Sequence, residues 1–322
     1  MVTKNLLSPP ILFFVLGVAA TLFRSDLEIP SEISKGLSLY LLFAIGFHGG
    51  VELARSGLGM DVMQTMIAVV IASLVIPLVS YPILRLEVSP IDASAIAACY
   101  GSISAVTFIT AVSFLESFDV TYSGFLVAAM ALMESPAIVV GFLLARYGEI
   151  NGDNVQVDSR WRDLIHESLF NGSVLLLIGS LVIGYLTGEE GWTALKPLVK
   201  DPFKGILCLF LLDMGIIAAK RLEQLKDSGV FLIGFSIVMA LVYGVMGIGT
   251  ASLLGLIPGD ALLLAILFGS ASYIAVPAAM RMALPQANPS LYLPMSLGIT
   301  FPMNITIGIP IHMAIIEWWW MV

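Results

Sequence analysis

Apolar residues in this chain come in long, nearly unbroken runs. A membrane-spanning helix needs about 20 mostly apolar residues, and ten runs approach or reach that length. The first five are Pro10–Leu22, Leu37–Leu53, Met63–Leu84, Ile91–Leu115 and Tyr122–Tyr147. The second five are Leu169–Leu186, Phe203–Ala219, Gly229–Leu254, Asp260–Ala283 and Tyr292–Trp318. The first is short and is expected to start as early as Leu6. Most connections are brief. The longest, 148–168, carries Asp153, Asp158, Arg160, Arg162, Asp163 and His166 and separates two five-span halves, residues 1–147 and 169–322.

Two runs are interrupted in the same way. Gly101-Ser102-Ile103-Ser104-Ala105-Val106-Thr107 breaks span four, and Gly269-Ser270-Ala271-Ser272-Tyr273 breaks span nine 168 positions later. Irregular backbone at membrane depth survives only inside protein or against a polar cavity, because lipid satisfies no N–H or C=O group. Other landmarks repeat as well. Leu42-Phe43-Ala44-Ile45-Gly46 resembles Leu211-Leu212-Asp213-Met214-Gly215, and Glu134-Ser135-Pro136 corresponds to Thr300-Phe301-Pro302, at offsets between 166 and 169 residues. Five spans per half give the copies opposite orientations, an arrangement common among secondary transporters. The expected fold is an all-α membrane protein of ten transmembrane helices. They form two inverted five-helix repeats, with crossed broken helices in spans four and nine.

Composition agrees with lipid as the solvent. The chain is 58% hydrophobic and 12% charged, against about 45–50% and about 25% in soluble domains. A net charge of −8 is spread thinly, and no basic cluster marks a nucleic-acid partner. Cys99 and Cys208 lie in apolar spans and read as small packing residues. Lys4 precedes an apolar run, but no small-residue cleavage site follows, so the start is not read as a cleavable signal. Cytoplasmic loops are enriched in Lys and Arg. With the N-terminus outside, ten of the fifteen basic residues fall inside; the outer five are Lys4, Arg55, Lys196, Lys200 and Lys204. This favours both termini outside and the 148–168 linker inside. The closing Trp318-Trp319-Trp320 run reads as an interfacial anchor.

Chemistry concentrates at the breaks. A helix unwound in mid-span presents two half-helix ends. The N-terminal end of its second half carries free N–H groups and partial positive charge, which suit an anion. Two such spans crossing aim two positive ends at one small anion. The expected anion site comprises Gly101, Ser102, Ile103, Ser104 and Ala105 with Gly269, Ser270, Ala271, Ser272 and Tyr273, the serine hydroxyls donating to anion oxygens. The competing reading is that Gly and Ser simply permit close helix packing.

Glu134 is an intramembrane carboxylate, costly there and a functional candidate by default. Pro136 frees a carbonyl about one turn before it. Oxygen ligands suit a hard cation, and Na⁺ is the expected coupling ion. Thr107, Thr110 and Ser113 follow one another at three-residue spacing, read as one face of the second half of span four. Ser135 and Asn304 complete the expected cation set, with Thr300 and Thr306 as the span-ten counterparts. A structural protonated Glu134 and a proton carrier are the alternatives. Asp213 is divided between a polar contact and a coupling role. His48 and His312 read as packing histidines, and Arg281 as a residue at the cytoplasmic boundary or a substrate gate. No nucleophile–base, P-loop or metal-ligand spacing occurs, so the chain does not read as an enzyme.

These residues resemble the sodium-dependent bicarbonate transporter family. The resemblance is carried by Cys99-Tyr100-Gly101-Ser102-Ile103-Ser104 with Leu115-Glu116-Ser117, by Met133-Glu134-Ser135-Pro136-Ala137, and above all by 280–292. That last stretch matches L-R-x-x-x-P-x-A-N-P-S-x-Y, with Met280 in the place of Leu. The resemblance spans all ten runs. It implies crossed broken helices in spans four and nine, a core domain (spans three to five and eight to ten), a gate domain (spans one, two, six and seven) and a trimer. It also implies Na⁺-coupled bicarbonate uptake across the plasma (inner) membrane, with a PII-like regulator docking on the cytoplasmic face. Two places depart from the family pattern. Ala271-Ser272-Tyr273-Ile274 stands where the family carries a Ser-rich stretch with an Asp, and Glu134 stands in the place of an Asp.

The expected function is therefore a Na⁺-coupled bicarbonate symporter working by elevator-like alternating access. The rivals are a Na⁺/H⁺ antiporter using Glu134, a carrier of another small anion such as a monocarboxylate with Tyr273 as a selectivity wall, and a non-transporting sensor.

Overall fold

The computed structural model describes residues 2–57, 59–150, 172–224 and 229–320. Most of the 148–168 linker, including its acidic residues, Arg160, Arg162 and His166, lies outside the described residues, as do 169–171 at the start of span six and Lys226. Among the described residues the chain is helical and contains no strand. Among the described residues, seven stretches are long and apolar enough to cross a membrane: Ser31–Arg55, Met60–Leu84, Pro90–Ser117, Phe125–Gly148, Gly172–Val199, Gly229–Leu253 and Pro289–Trp320. Pro9–Leu22 and Pro258–Gly269 are apolar but shorter.

The helices follow the hydrophobic runs, with differences at their ends. A short α1 (Val2–Leu6) precedes α2 (Pro9–Leu22), so the first run does not extend back as one helix: Pro9 and Pro10 open a new one. Next come α3 (Ser31–Ser56) and α4 (Met60–Leu84). The fourth run is split into α5 (Pro90–Gly101) and α6 (Ala105–Ser117). The fifth is also in two pieces, α7 (Phe125–Glu134) and α8 (Pro136–Ile150), because Pro136 cannot continue the ladder of α7. The sixth run was read to end at Leu186, but α9 (Gly172–Val199) carries helix much further. It turns at Gly188, whose φ of 53° and ψ of −132° few other residues adopt, into a second helical arm that contains Lys196.

In the remainder, α10 (Phe203–Gln224) and α11 (Gly229–Leu253) lead to the second split run, α12 (Pro258–Gly269) and α13 (Ala275–Ala283). The last run starts as α14 (Pro289–Leu293). It widens into two π segments, Pro294–Thr300 and Asn304–Gly308, before finishing as α15 (Ile309–Trp320). Trp319 Nε1 donates to Ser252 Oγ at 3.0 Å and Trp320 Nε1 to the Leu256 carbonyl at 3.2 Å, which pins the tryptophan run to the end of α11.

Packing sorts the helices into pairs. α3 lies along α9 and α2 along α10, while α11 packs on α12 and α4 on α5. The first two pairs meet through glycines. A Cβ on Gly50 would stand 2.0 Å from the Leu181 carbonyl, and one on Gly184 would stand 2.2 Å from that of Phe47. In lipid, backbone approach of this kind replaces the missing hydrophobic drive between helices. The broken helices α5 and α12 are buried but for Pro90, Asp92 and Pro258, and Ser102–Ser104 and Ser270–Tyr273 are buried with them, while Ile274 is exposed.

Candidate functional site

The two interruptions meet. Ser102 is extended (φ −101°, ψ −172°), and so is Ser270 (φ −97°, ψ 171°), where α12 gives out. The Ser104 N–H donates to Ser270 Oγ at 3.0 Å, and the Ser272 N–H donates to the Cys99 carbonyl at 2.8 Å. Each break thus satisfies the loose backbone of the other. The second halves are capped alike: Ser104 Oγ accepts from the Thr107 N–H at 3.2 Å, and Ser272 Oγ from the Val276 N–H at 3.3 Å.

A cavity of about 600 Å³ opens beside them. Ile103, Ser104, Ala105, Ser272 and Tyr273 line it on the break side, and Lys35, Ser38, Leu42, Gly172 and Phe210 on the side of α3, α9 and α10. Among the described lining residues Glu134 supplies the one carboxylate and Lys35 the one cation. Glu134 is half-buried, and its backbone carbonyl accepts from Ser102 Oγ at 3.1 Å, tying the end of α7 to the first break. The Tyr273 ring lies edge-on to Phe301 at 5.6 Å, and its buried hydroxyl faces Ser104.

Not every expected anion residue reaches this cavity. Gly101 and Gly269 are crossing points: a Cβ would meet the Pro77 ring at 2.2 Å in one case and the Ala240 carbonyl at 2.5 Å in the other. Ser270 is occupied by the Ser104 N–H, and Ala271 is buried away from the lining.

The expected cation set divides. Thr107 is one hydrogen bond from the cavity, its hydroxyl donating to Ser104 Oγ at 2.8 Å. Ser135 sits half-buried between α7 and α8, outside the lining. Asn304 stands behind the second break, donating through Nδ2 to the Gly269 carbonyl at 2.9 Å with Oδ1 buried and unpartnered. Thr110 is elsewhere. Its hydroxyl donates to the Val106 carbonyl at 2.8 Å, and with Ser113 it lines a different cavity. Thr107 lines neither cavity, and Thr110 and Ser113, further toward the end of α6, line the second together.

The remaining candidates lie outside the lining of this cavity. Asp213 is 4% exposed and accepts from Ser34. His48 stacks on Trp192 at 4.7 Å, 3.7 Å from Glu52. His312 is buried against Gly244, with both ring nitrogens unpartnered. Arg281 is exposed on α13. Thr300 donates to the Ser236 carbonyl at 3.0 Å and accepts from the Tyr100 hydroxyl at 2.7 Å, while Thr306 donates to the Pro302 carbonyl at 2.6 Å.

Sequence reasoning passed over a pair of clamps. Asp92 on α5 accepts from the Asn288 N–H at 2.8 Å, and Asp260 on α12 accepts from the Ser123 N–H at 2.6 Å. Each holds the first turn of one broken helix to the connection before α14 or α7. The signal was present as Pro90-Ile91-Asp92 and Pro258-Gly259-Asp260, at the same 168-residue offset as the breaks.

The family model described as the Na⁺-dependent bicarbonate transporter superfamily matches residues 9–317, nearly the whole chain. No curated protein matches the sequence.

Proposed function

The chain belongs to the Na⁺-dependent bicarbonate transporter superfamily, and from that premise we propose that it is a Na⁺-coupled bicarbonate symporter working by alternating access. One observation carries the reading: the two helix breaks and Glu134 share a single cavity, with the N-terminal turns of α6 and α13 on its wall. Both helix ends bring partial positive charge to the same space, which suits an anion of bicarbonate size. Glu134 brings a negative charge to the rim of that space, which suits Na⁺. Bound together, the two ions offset each other's desolvation, so each raises affinity for the other. The neutral oxygens best disposed toward Glu134 are those of Ser102, Ser104 and Thr107; Thr110 drops out of the set.

The proposed architecture is two inverted repeats of five spans, both termini outside, with each interrupted run counted once. The helices α4–α8 and α11–α15 form the moving core, and α2, α3, α9 and α10 the gate. The cavity lies between these two groups, with Glu134 and the breaks on one wall and α3, α9 and α10 on the other. A small displacement of the core past the gate then moves both ions across. A homotrimer built on the gate, a PII-like cytoplasmic regulator and residence in the plasma membrane rest on the family resemblance.

Uptake of labelled bicarbonate into proteoliposomes tests the proposal. It predicts accumulation driven by an inward Na⁺ gradient. Equal uptake with and without that gradient removes it.

A further inference from the structure

A second cavity, of about 500 Å³, lies at the other end of α6 from the breaks. The first cavity touches the start of α6 at Ala105 and the start of α9 at Gly172. The second touches the end of α6 at Ser117 and the start of α10 at Lys204. Two lysines line it and, among the described lining residues, no carboxylate. Lys4 Nζ stands 4.5 Å from the Phe118 ring centroid, and Lys204 Nζ donates to Ser117 Oγ at 3.0 Å. Thr110, Ser113 and Asn5 line it too, each no more than 4% exposed. Glu116, which lines another crevice with His48 and Lys200, attracts Lys204 from outside the cavity. The hydroxyls of α6 join the two cavities: Ser104 opens on the first, Thr107 bonds to Ser104, and Thr110 and Ser113 open on the second.

We infer that this second cavity is a holding site for a small oxyanion on the far side of the breaks. Ammonium groups that converge on a recess concentrate anions there, and the Ser113 hydroxyl adds a short-range donor; the Thr110 hydroxyl and the Asn5 amide already donate to the Val106 carbonyl and to the Ile305 and Thr306 carbonyls. The inference rests on the proposed transport reading only in making bicarbonate the first probe. With both termini outside, this cavity faces out, and Lys4 and Lys204 are two of the five basic residues that run against the usual inside bias. An anion site accounts for their presence there.

The test is amine labelling of the full-length protein in phosphatidylcholine nanodiscs, mapped by mass spectrometry at fixed pH and without Na⁺. Bicarbonate should slow labelling of Lys4 and Lys204 saturably and several-fold relative to chloride at equal ionic strength, and leave Lys196 unchanged. The protection should weaken in Ser113→Ala and disappear for Lys4 in Lys204→Gln. A parallel arm in phosphatidylglycerol, without bicarbonate, separates the two sources of an oxyanion: protection there assigns the site to a lipid headgroup phosphate. Labelling unchanged by either anion source overturns the site, even if Na⁺-driven uptake is intact. Protection without Na⁺-driven uptake upholds the site and removes the transport reading. In flux assays Lys204→Gln should raise KM several-fold with kcat unchanged; an unchanged KM counts against the site.

Discussion

The backbone N–H of Ser104 donates to the hydroxyl of Ser270 across 3.0 Å. One broken helix therefore completes the other, and the bond is buried where no water replaces it. Ser270→Ala leaves that N–H unsatisfied, at a cost of about 1–3 kcal/mol. Thermal unfolding of the purified variant should show a clear fall in midpoint. Combined with Ser102→Ala, it should also weaken anion affinity in uptake assays, and unchanged stability together with unchanged KM would remove the proposed role of the paired breaks.

Glu134 lines the cavity as its one carboxylate among the described residues. Glu134→Gln keeps the shape and removes the charge. Bicarbonate uptake by the variant should lose its response to the Na⁺ gradient while the fold persists by circular dichroism. Retained Na⁺ dependence would show that the coupling ion is held elsewhere.

Tyr273 separates a packing role from a substrate role. Its hydroxyl is buried facing Ser104 and its ring rests on Phe301. Tyr273→Phe keeps the ring and removes at most one hydrogen bond, so it should lose no more than about 1.5 kcal/mol of stability. If the hydroxyl meets the anion, KM rises several-fold in the same variant. Tyr273→Ala should admit larger monocarboxylates, as measured by competition against labelled bicarbonate; an unaltered competition profile would exclude a selectivity role.

The two aspartate clamps should behave as a pair. Asp92→Ala removes the acceptor for the Asn288 N–H and the Ser89 hydroxyl, and Asp260→Ala does the same for the Ser123 N–H and hydroxyl. Asp260→Ala is expected to cost about 1–3 kcal/mol and Asp92→Ala, whose bonds are exposed to water, about 0.5–1.5 kcal/mol, read by thermal unfolding. Because the clamps lie on different broken helices, the double variant should show close to the sum of the two losses.

Gly50 and Gly184 predict a steric outcome. The backbone of the facing helix lies 2.0–2.2 Å from where each Cβ would stand. Gly50→Ala forces α3 away from α9, and overpacking of this kind costs about 1–3 kcal/mol. Cysteine pairs placed across α3 and α9 should cross-link more slowly in the variant.

Local chemistry made much of this protein legible in its sequence. Apolar runs dictate helices because lipid leaves backbone groups no other partner. Gly-Ser pairs and prolines mark where those helices stop, so the interruptions at 102–104 and 270–274 and the split at Ser135 could be read from composition at single positions. The matching Pro-x-Asp starts were equally legible and went unused. The sequence could not tell which groups come together. Thr110 was expected beside Glu134, but it lies one turn further along α6 and lines the cavity at that end of the helix. The meeting of Ser104 with Ser270, of Ser102 with Glu134 and of Asn304 with Gly269 joins residues between 32 and 166 positions apart. Contacts over such distances depend on how whole helices cross, and that is set by backbone approach at glycines such as Gly50, Gly184 and Gly269. Sequence period fixed the helices and their breaks; only the packing of one helix on another decided which breaks, carboxylates and hydroxyls share a cavity.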